Sequence, residues 1–413
     1  MSVVPEPRQT CQGCGSGNLH AVVDLGVVPL ADALVDPARP PDPEPRFPLA
    51  VAFCADCLLV QVRHHVPPQT LFVDNYLYFS SYSRDLLEHA RRHASGLVES
   101  RKLGPDSLVV EIASNDGYLL RNFAEAGIPV LGIDPAPAQA AAAREIGVET
   151  LEEFLDERVA ERIVRERGHA DVVVANNVMA HTPDPLGFAR SLATLLAPGG
   201  VATIENASVR ELVRHGEFDT IYHEHFSYFS TLAMDSLLQR AGLRLVRVEK
   251  LPIHGGSLRW HAAHEGEPDE SVAAIIEEER ADGLSEPGFY LSLDRRVRSV
   301  RERLPALIAR LRGEGASVAA YGAAAKAAIL LNVTQVDTGL IDFVADRNPH
   351  KQGLCMPGVR VPIVAPEAIR ERRPDYLVVL AWNFADEIMR QEAWYAEEGG
   401  RFVIPVPEPR VVG

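Results

Sequence analysis

No stretch of this sequence reaches the roughly 18 consecutive apolar residues that a membrane-spanning helix needs, which argues against an integral membrane protein. Basic charge is in deficit, with 41 Lys and Arg against 57 Asp and Glu and a net charge of −16. That balance argues against a surface that coats nucleic acid or an anionic membrane. A small anionic substrate stays possible, because a few local basic side chains can hold a phosphate. The opening residues, Met1 to Arg8, have neither a basic nor an apolar leader segment, so a cytoplasmic location is expected. A Gly-x-Gly-x-x-Gly fingerprint is also missing, which disfavours a pyrophosphate dinucleotide and an NAD-dependent oxidoreductase. At about 150 residues per domain, 413 residues suggest two or three domains with a substantial core.

Cysteine is scarce, five in all, yet four of the five form two Cys-x-x-Cys knuckles, Cys11/Cys14 and Cys54/Cys57. Gly13 and Gly15 permit the tight turns that let backbone amides face thiolates. Between the knuckles runs a proline-rich loop, Asp36 to Pro45, unsuited to a helix interior or a central strand. A thioredoxin-like dithiol or disulfides fit less well, because no βαβ pattern surrounds Cys11 and the expected compartment is reducing. The pattern predicts a small N-terminal domain, residues 1–72, stapled by a tetrahedral Cys₄ zinc. Four thiolates leave no open coordination position, so this metal is structural.

From about residue 84 short apolar strands alternate with helical stretches. The candidate strands are Ser107–Ile112, Val130–Asp134, Asp171–Asn176 and Gly200–Glu205. This pattern reads as a doubly wound parallel sheet. A second set, Ser317–Tyr321, Leu340–Asp346, Tyr376–Ala381 and Arg401–Pro405, predicts a second parallel sheet near the C-terminus. Between them Leu293, Val297, Val300, Leu304, Leu307 and Leu311 lie on one helix face. Pro305 is expected to start a new helix or kink this one. The stripe reads as a connecting helix packed on a neighbouring domain rather than a coiled-coil dimer, and a monomer is expected. The acidic run at residues 277–279 reads as a solvated face. The expected architecture is α/β, with domains at 1–72, 73–250 and 251–413.

The first strand of the middle domain ends in Glu111-Ile-Ala113-Ser-Asn115-Asp-Gly117, and Asp134 closes the next. Ligands bind at the carboxyl ends of strands in such sheets. An acid closing the second strand suits the two ribose hydroxyls of an adenosine. S-adenosylmethionine has no phosphate and carries a sulfonium charge, so an acidic, glycine-poor loop suits it. Asn176-Asn-Val-Met-Ala-His181 and Leu196-Ala-Pro-Gly-Gly200 resemble the later motifs of class I methyltransferases. The string Thr220-Ile-Tyr222-His-Glu224-His225 clusters titratable side chains but lacks the spacing of an HExxH zinc site. If extended, it sets His223 and His225 on one face, where a second metal is conceivable, and Tyr222 with Glu224 on the other. Acid–base chemistry is the stronger expectation, since histidine titrates near neutral pH.

Taken with His254-Gly-Gly-Ser257-Leu and Tyr321-Gly322-Ala-Ala-Ala-Lys326, these motifs resemble the nucleotide-sugar C-methyltransferases of deoxysugar biosynthesis, over nearly the whole chain and in the same order. The resemblance implies a zinc-binding domain, a methyltransferase domain and a Rossmann-like C-terminal domain holding a dTDP-sugar. It implies an active site lined by Tyr76, His181, Tyr222, Glu224 and His225. It also implies methyl transfer to C-3′ of a dTDP-linked 4-keto sugar, of which a 3-amino-2,3,6-trideoxy sugar is one candidate. The alanine-rich loop after Gly322 departs from relatives, which often carry Pro or Gly there. Cofactor contacts are expected from Glu111, Ala113, Asn115, Gly117, Asp134 and Asn176. Substrate contacts are expected from His254, Ser257, Tyr321, Gly322, Lys326 and Asn383, with His225 as base and His181 the alternative. Two other activities share parts of this pattern: an O- or N-methyltransferase, and a zinc-stabilised nucleotide-sugar binding protein without catalysis.

Overall fold

The computed structural model describes residues 5–38, 44–72, 78–253 and 255–413. Tyr76 and His254 lie outside the described residues.

Three sheets organise the chain. The first is antiparallel, built from β1 (Leu19–Pro29), β2 (Arg46–Cys54) and β3 (Val60–Val62), and closed by β9 (Ser227–Tyr228) from far along the sequence. The central sheet runs parallel through β6 (Thr150–Leu151), β5 (Val130–Ile133), β4 (Val109–Ile112), β7 (Ala170–Asn176) and β8 (Leu196–Ala207). Antiparallel β11 (Ser257–Ala263) and β10 (Arg244–Leu251) extend it. The third sheet is parallel through β14 (Ile363–Val364), β13 (Val344–Ala345), β12 (Val318–Tyr321), β15 (Tyr376–Val379) and β16 (Arg401–Ile404), with antiparallel β17 (Arg410–Val412) at its edge. The parallel strands are nearly all buried, as expected where helices cover both faces.

Two strands pair across distant parts of the chain. A cut at residue 250 separates β11 from the central sheet in which it pairs with β8. β9 belongs to the N-terminal sheet although it follows the last parallel strand of the central one. Each strand completes a hydrogen-bonded edge that would otherwise be open.

The helix Pro287–Gly313 is continuous through Pro305, so no new helix starts there. Leu304 and Ile308 on either side of it are fully buried, and their packing outweighs the ~3 kcal/mol that proline costs in a helix interior. Arg301, whose carbonyl loses its bond at i+4, is exposed to water. Its apolar face joins one core with residues from the N-terminal and C-terminal sheets, including Val22, Phe53 and Val318. The acidic run is not uniformly solvated: Glu279 is 1% exposed and accepts the N–H groups of Thr231 and Leu232 at 2.8 and 2.9 Å. Its carboxylate thereby satisfies orphan donors at the start of the helix Thr231–Arg240. The predicted strand at 340–346 shortens to Val344–Ala345.

Candidate active site

The four cysteine sulfurs Cys11, Cys14, Cys54 and Cys57 all lie within 4.8 Å of one another, with Cys11–Cys57 at 3.4 Å and Cys14–Cys54 at 3.7 Å. Tetrahedral zinc with Zn–S near 2.3 Å requires sulfurs about 3.8 Å apart, so the cluster fits the metal. Among the described residues it is the sole group with metal-ligating geometry, and His223 and His225 are not part of one.

At the carboxyl edge of the central sheet, β4, β5 and β7 are neighbours, which brings Glu111, the loop to Gly117, Asp134 and Asn176 together. The loop is tightly coiled: Ala113, Asn115 and Gly117 all have positive φ, at 55°, 50° and 77°. Asp134 holds it there, accepting the Asn115 N–H at 2.8 Å through Oδ2 and the Ala136 N–H at 2.9 Å through Oδ1. The Asn115 side chain in turn accepts from Ser80 N–H at 2.9 Å and donates to the Tyr78 carbonyl at 3.2 Å. Gln139 donates to the same carbonyl at 3.1 Å, and Asp116 accepts from Ser81 N–H at 3.0 Å. Residues 78–81 are thus strapped onto the loop that follows β4. Sequence reading missed the strap; its one visible signal is Gln139, the sole uncharged polar side chain in the helix Pro137–Glu145.

Four buried atoms at this edge, Glu111 Oε2, Ser114 Oγ, Asp116 Oδ1 and Asn176 Oδ1, have no hydrogen-bond partner among the described residues. Burial drives the Glu111 carboxyl well above the usual range, and nearby Asp134 and Asp116 push the same way. Buried acceptors and crowded carboxyls fit a ligand that brings hydroxyls, an ammonium group and a sulfonium. S-adenosylmethionine has all three.

The Tyr222–His225 segment is a turn rather than a strand: the His225 N–H bonds the Tyr222 carbonyl at 2.9 Å. A turn sets its first and fourth residues side by side. The Tyr222 and His225 rings therefore meet, with centroids 4.0 Å apart, instead of pointing to opposite faces as an extended strand requires. His223 faces the N-terminal sheet, 1% exposed, its Nε2 3.3 Å from the Phe47 carbonyl. Glu224 is buried, and desolvation, aided by Asp32, raises its carboxyl well above the usual range. The turn docks on the loop after β7 through Phe226 N–H to the Ala180 carbonyl at 2.7 Å. This puts the His181 ring 4.7 Å from that of His225.

Both histidines are held in one tautomer. A carbonyl can only accept, so His225 Nδ1 donates to Thr220 at 2.8 Å and His181 Nδ1 donates to Glu224 at 2.8 Å. When neutral, each ring therefore carries its lone pair at Nε2. Burial lowers the His181 pKa to about 4, so that ring is neutral near pH 7.

In the third sheet, Tyr321 ends β12, and Gly322 follows with φ +96°; a Cβ there would lie 3.2 Å from that of Ala381. Lys326 reaches the turn after β15, donating to Asn383 Oδ1 at 2.8 Å with its ammonium 5.2 Å from the Trp382 ring centre. Ser257 is instead buried on β11 of the central sheet, its hydroxyl donating to the Ile253 carbonyl at 3.1 Å, in the wall of a cavity of about 330 Å³.

Comparison with known proteins gives the family. The chain is 37% identical to C-methyltransferase NovU of Streptomyces niveus over 100% of its own length and 99% of the relative's. It belongs to the C-methyltransferase family. A putative zinc binding domain matches residues 11–72, a methyltransferase domain 82–248, and a C-methyltransferase C-terminal domain 252–407. This C-methyltransferase uses S-adenosylmethionine and carries a structural zinc. Ubiquinone biosynthesis O-methyltransferase of Escherichia coli O7:K1 is similar only locally, 33% identical over 22% of this chain and 39% of its own. Among solved structures, magnesium protoporphyrin IX methyltransferase from Synechocystis PCC 6803 covers 46% of this chain and 86% of its own, at 16% identity and TM-score 0.35.

Proposed function

We propose that this C-methyltransferase adds a methyl group to C-3′ of a dTDP-linked 4-keto deoxysugar, with His225 as the base. One observation carries the reading. The Nδ1 proton of His225 is committed to the Thr220 carbonyl, which directs the basic lone pair to Nε2, inside a cluster with Tyr222 and His181. A sugar carbon becomes a nucleophile only after losing a proton, and a neighbouring keto group makes that loss accessible. His225 Nε2 takes the C-3′ proton, and the electron pair passes into an enolate oxygen at C-4′. The Tyr222 hydroxyl donates to that oxygen. Glu224, whose carboxyl burial raises well above its usual range, is a second donor. When bound, S-adenosylmethionine would supply an electrophilic methyl on its sulfonium, which the enolate carbon would take while the C–S bond pair returns to sulfur as a neutral thioether. The cofactor loop from Glu111 to Gly117, Asp134 and Asn176 hold the donor in register with the sugar. Tyr321, Gly322, Lys326 and Asn383 hold the nucleotide end, where the start of the helix Ala325–Thr334 favours a diphosphate.

Deuterium exchange at C-3′ of a dTDP-4-keto sugar in D₂O, read beside transfer of a labelled methyl group, tests this reading. Enzyme-dependent exchange that disappears in His225→Asn is expected. Methyl transfer to an oxygen or nitrogen without C-3′ exchange would replace it with an O- or N-methyltransferase.

A further inference from the structure

We propose that Trp382 and Asp219 form a positioning link that makes the base respond to occupancy of the nucleotide end. The inference rests on the function proposed above. The Trp382 indole N–H donates to Asp219 Oδ2 at 2.7 Å, joining the C-terminal sheet to the loop that leads into the base. Trp382 sits just past β15, at the carboxyl edge where open α/β sheets take their ligands. Lys326, the cation expected to meet the diphosphate, is bonded to the adjacent Asn383 and lies near the Trp382 ring. A diphosphate drawing on Lys326 therefore competes with the contacts that fix this turn.

On the other side Asp219 is fully buried, and its Oδ1 has no hydrogen-bond partner among the described residues. Beyond the Lys326 charge and the backbone of its own turn, the Trp382 N–H is the side-chain donor that holds this carboxyl, and a buried carboxyl that loses such a donor is destabilised. Asp219 is the middle residue of the short helical turn Phe218–Thr220, whose Thr220 carbonyl fixes the tautomer of His225. The turn has little freedom to absorb a shift: Phe218 is fully buried, and the Thr220 hydroxyl is bonded to the Glu217 carbonyl at 2.7 Å. Movement at Trp382 is thus passed through Asp219 to the carbonyl that aims the base. Glu217 faces the same region, its carboxyl raised to about 7 by burial and opposed by Lys326.

The test follows the His225 imidazole by ¹⁵N NMR in full-length, zinc-loaded enzyme while dTDP is added, with dTDP affinity measured separately by calorimetry. Wild type should bind dTDP and shift the His225 signals. Trp382→Phe, which keeps an aromatic ring and removes the N–H, should bind dTDP but leave His225 unmoved. Its kcat should fall about tenfold to 10²-fold, as for a reacting group misplaced by about 1 Å, with little change in KM. Asp219→Asn, which keeps an acceptor oxygen, should recover part of that loss relative to Asp219→Ala. Wild type that binds dTDP with no response at His225 overturns the link while leaving the function intact, as does Trp382→Phe responding like wild type. Failure of wild type to bind dTDP at all overturns the nucleotide assignment, and the link with it.

Discussion

Thr220 and His225 are joined by a 2.8 Å hydrogen bond from the imidazole Nδ1 to a backbone carbonyl. A backbone acceptor cannot be titrated, so it fixes the tautomer at any pH at which the ring is neutral. The basic nitrogen is chosen by the shape of a loop rather than by a neighbouring carboxylate.

His225→Asn should lower turnover by about 10²-fold or more, the usual range for losing a general base. Affinity for S-adenosylmethionine should stay nearly unchanged, since the cofactor loop is built from other segments. Steady-state kinetics beside calorimetry checks this. Near-normal turnover in His225→Asn, together with an inactive His181→Asn, would transfer the role to His181.

Asp134→Ala should weaken cofactor binding by about 1–3 kcal/mol. The loss has two parts, because the carboxylate also accepts the Asn115 and Ala136 N–H groups that shape the site. Asn115→Gly perturbs the loop alone: glycine tolerates the positive φ and keeps the N–H to Asp134 but loses the bonds to Tyr78 and Ser80. Calorimetric titration should show a smaller loss for Asn115→Gly than for Asp134→Ala. Unchanged affinity in Asp134→Ala would refute the assignment.

Zinc removal should reduce activity although the metal takes no part in the chemistry. Val60 of β3 pairs with Tyr228 of β9, and Val62 N–H bonds the Phe226 carbonyl at 3.0 Å, directly after His225. Cys54→Ser should bind less than one zinc per chain, melt earlier and turn over more slowly. Metal analysis and thermal melting test the first two; a zinc-free enzyme with full stability and activity would contradict the structural role.

Burial holds the His223 pKa near 4, below its ordinary value of about 6.5. The folded protein therefore resists a proton that the unfolded chain accepts. Stability from neutral His223 is complete above about pH 6.5 and declines as pH falls toward 4, by up to about 1.4 kcal/mol per pH unit. Comparison with His223→Gln cancels the buried carboxyls, whose raised values act in the opposite direction. The variant should be less stable at pH 7.5, and the gap should narrow between pH 6.5 and 4 in urea unfolding. A gap independent of pH would rule out a buried neutral His223.

Sequence alone determined the features that depend on local pattern. The two knuckles declared a thiolate metal site, because four cysteines in that spacing have few other uses in a chain this poor in cysteine. Apolar runs ending in Glu111, Asp134 and Asn176 located the carboxyl edge of the central sheet, since a strand buried on both faces and its polar end are written in consecutive residues. Tertiary structure decided the rest. Whether Tyr222–His225 is a strand or a turn depends on His223 finding the Phe47 carbonyl, 176 residues away in sequence. Glu279 reads like its exposed neighbours until the helix Thr231–Arg240 presents two N–H groups to it. Thr220 and Trp382 stand beside residues the sequence marks, but their bonds to His225 and Asp219 do not show there, because a backbone carbonyl and one buried hydrogen bond give no local pattern. Desolvation and long-range hydrogen bonding are properties of what surrounds a residue, and only the folded chain supplies those surroundings.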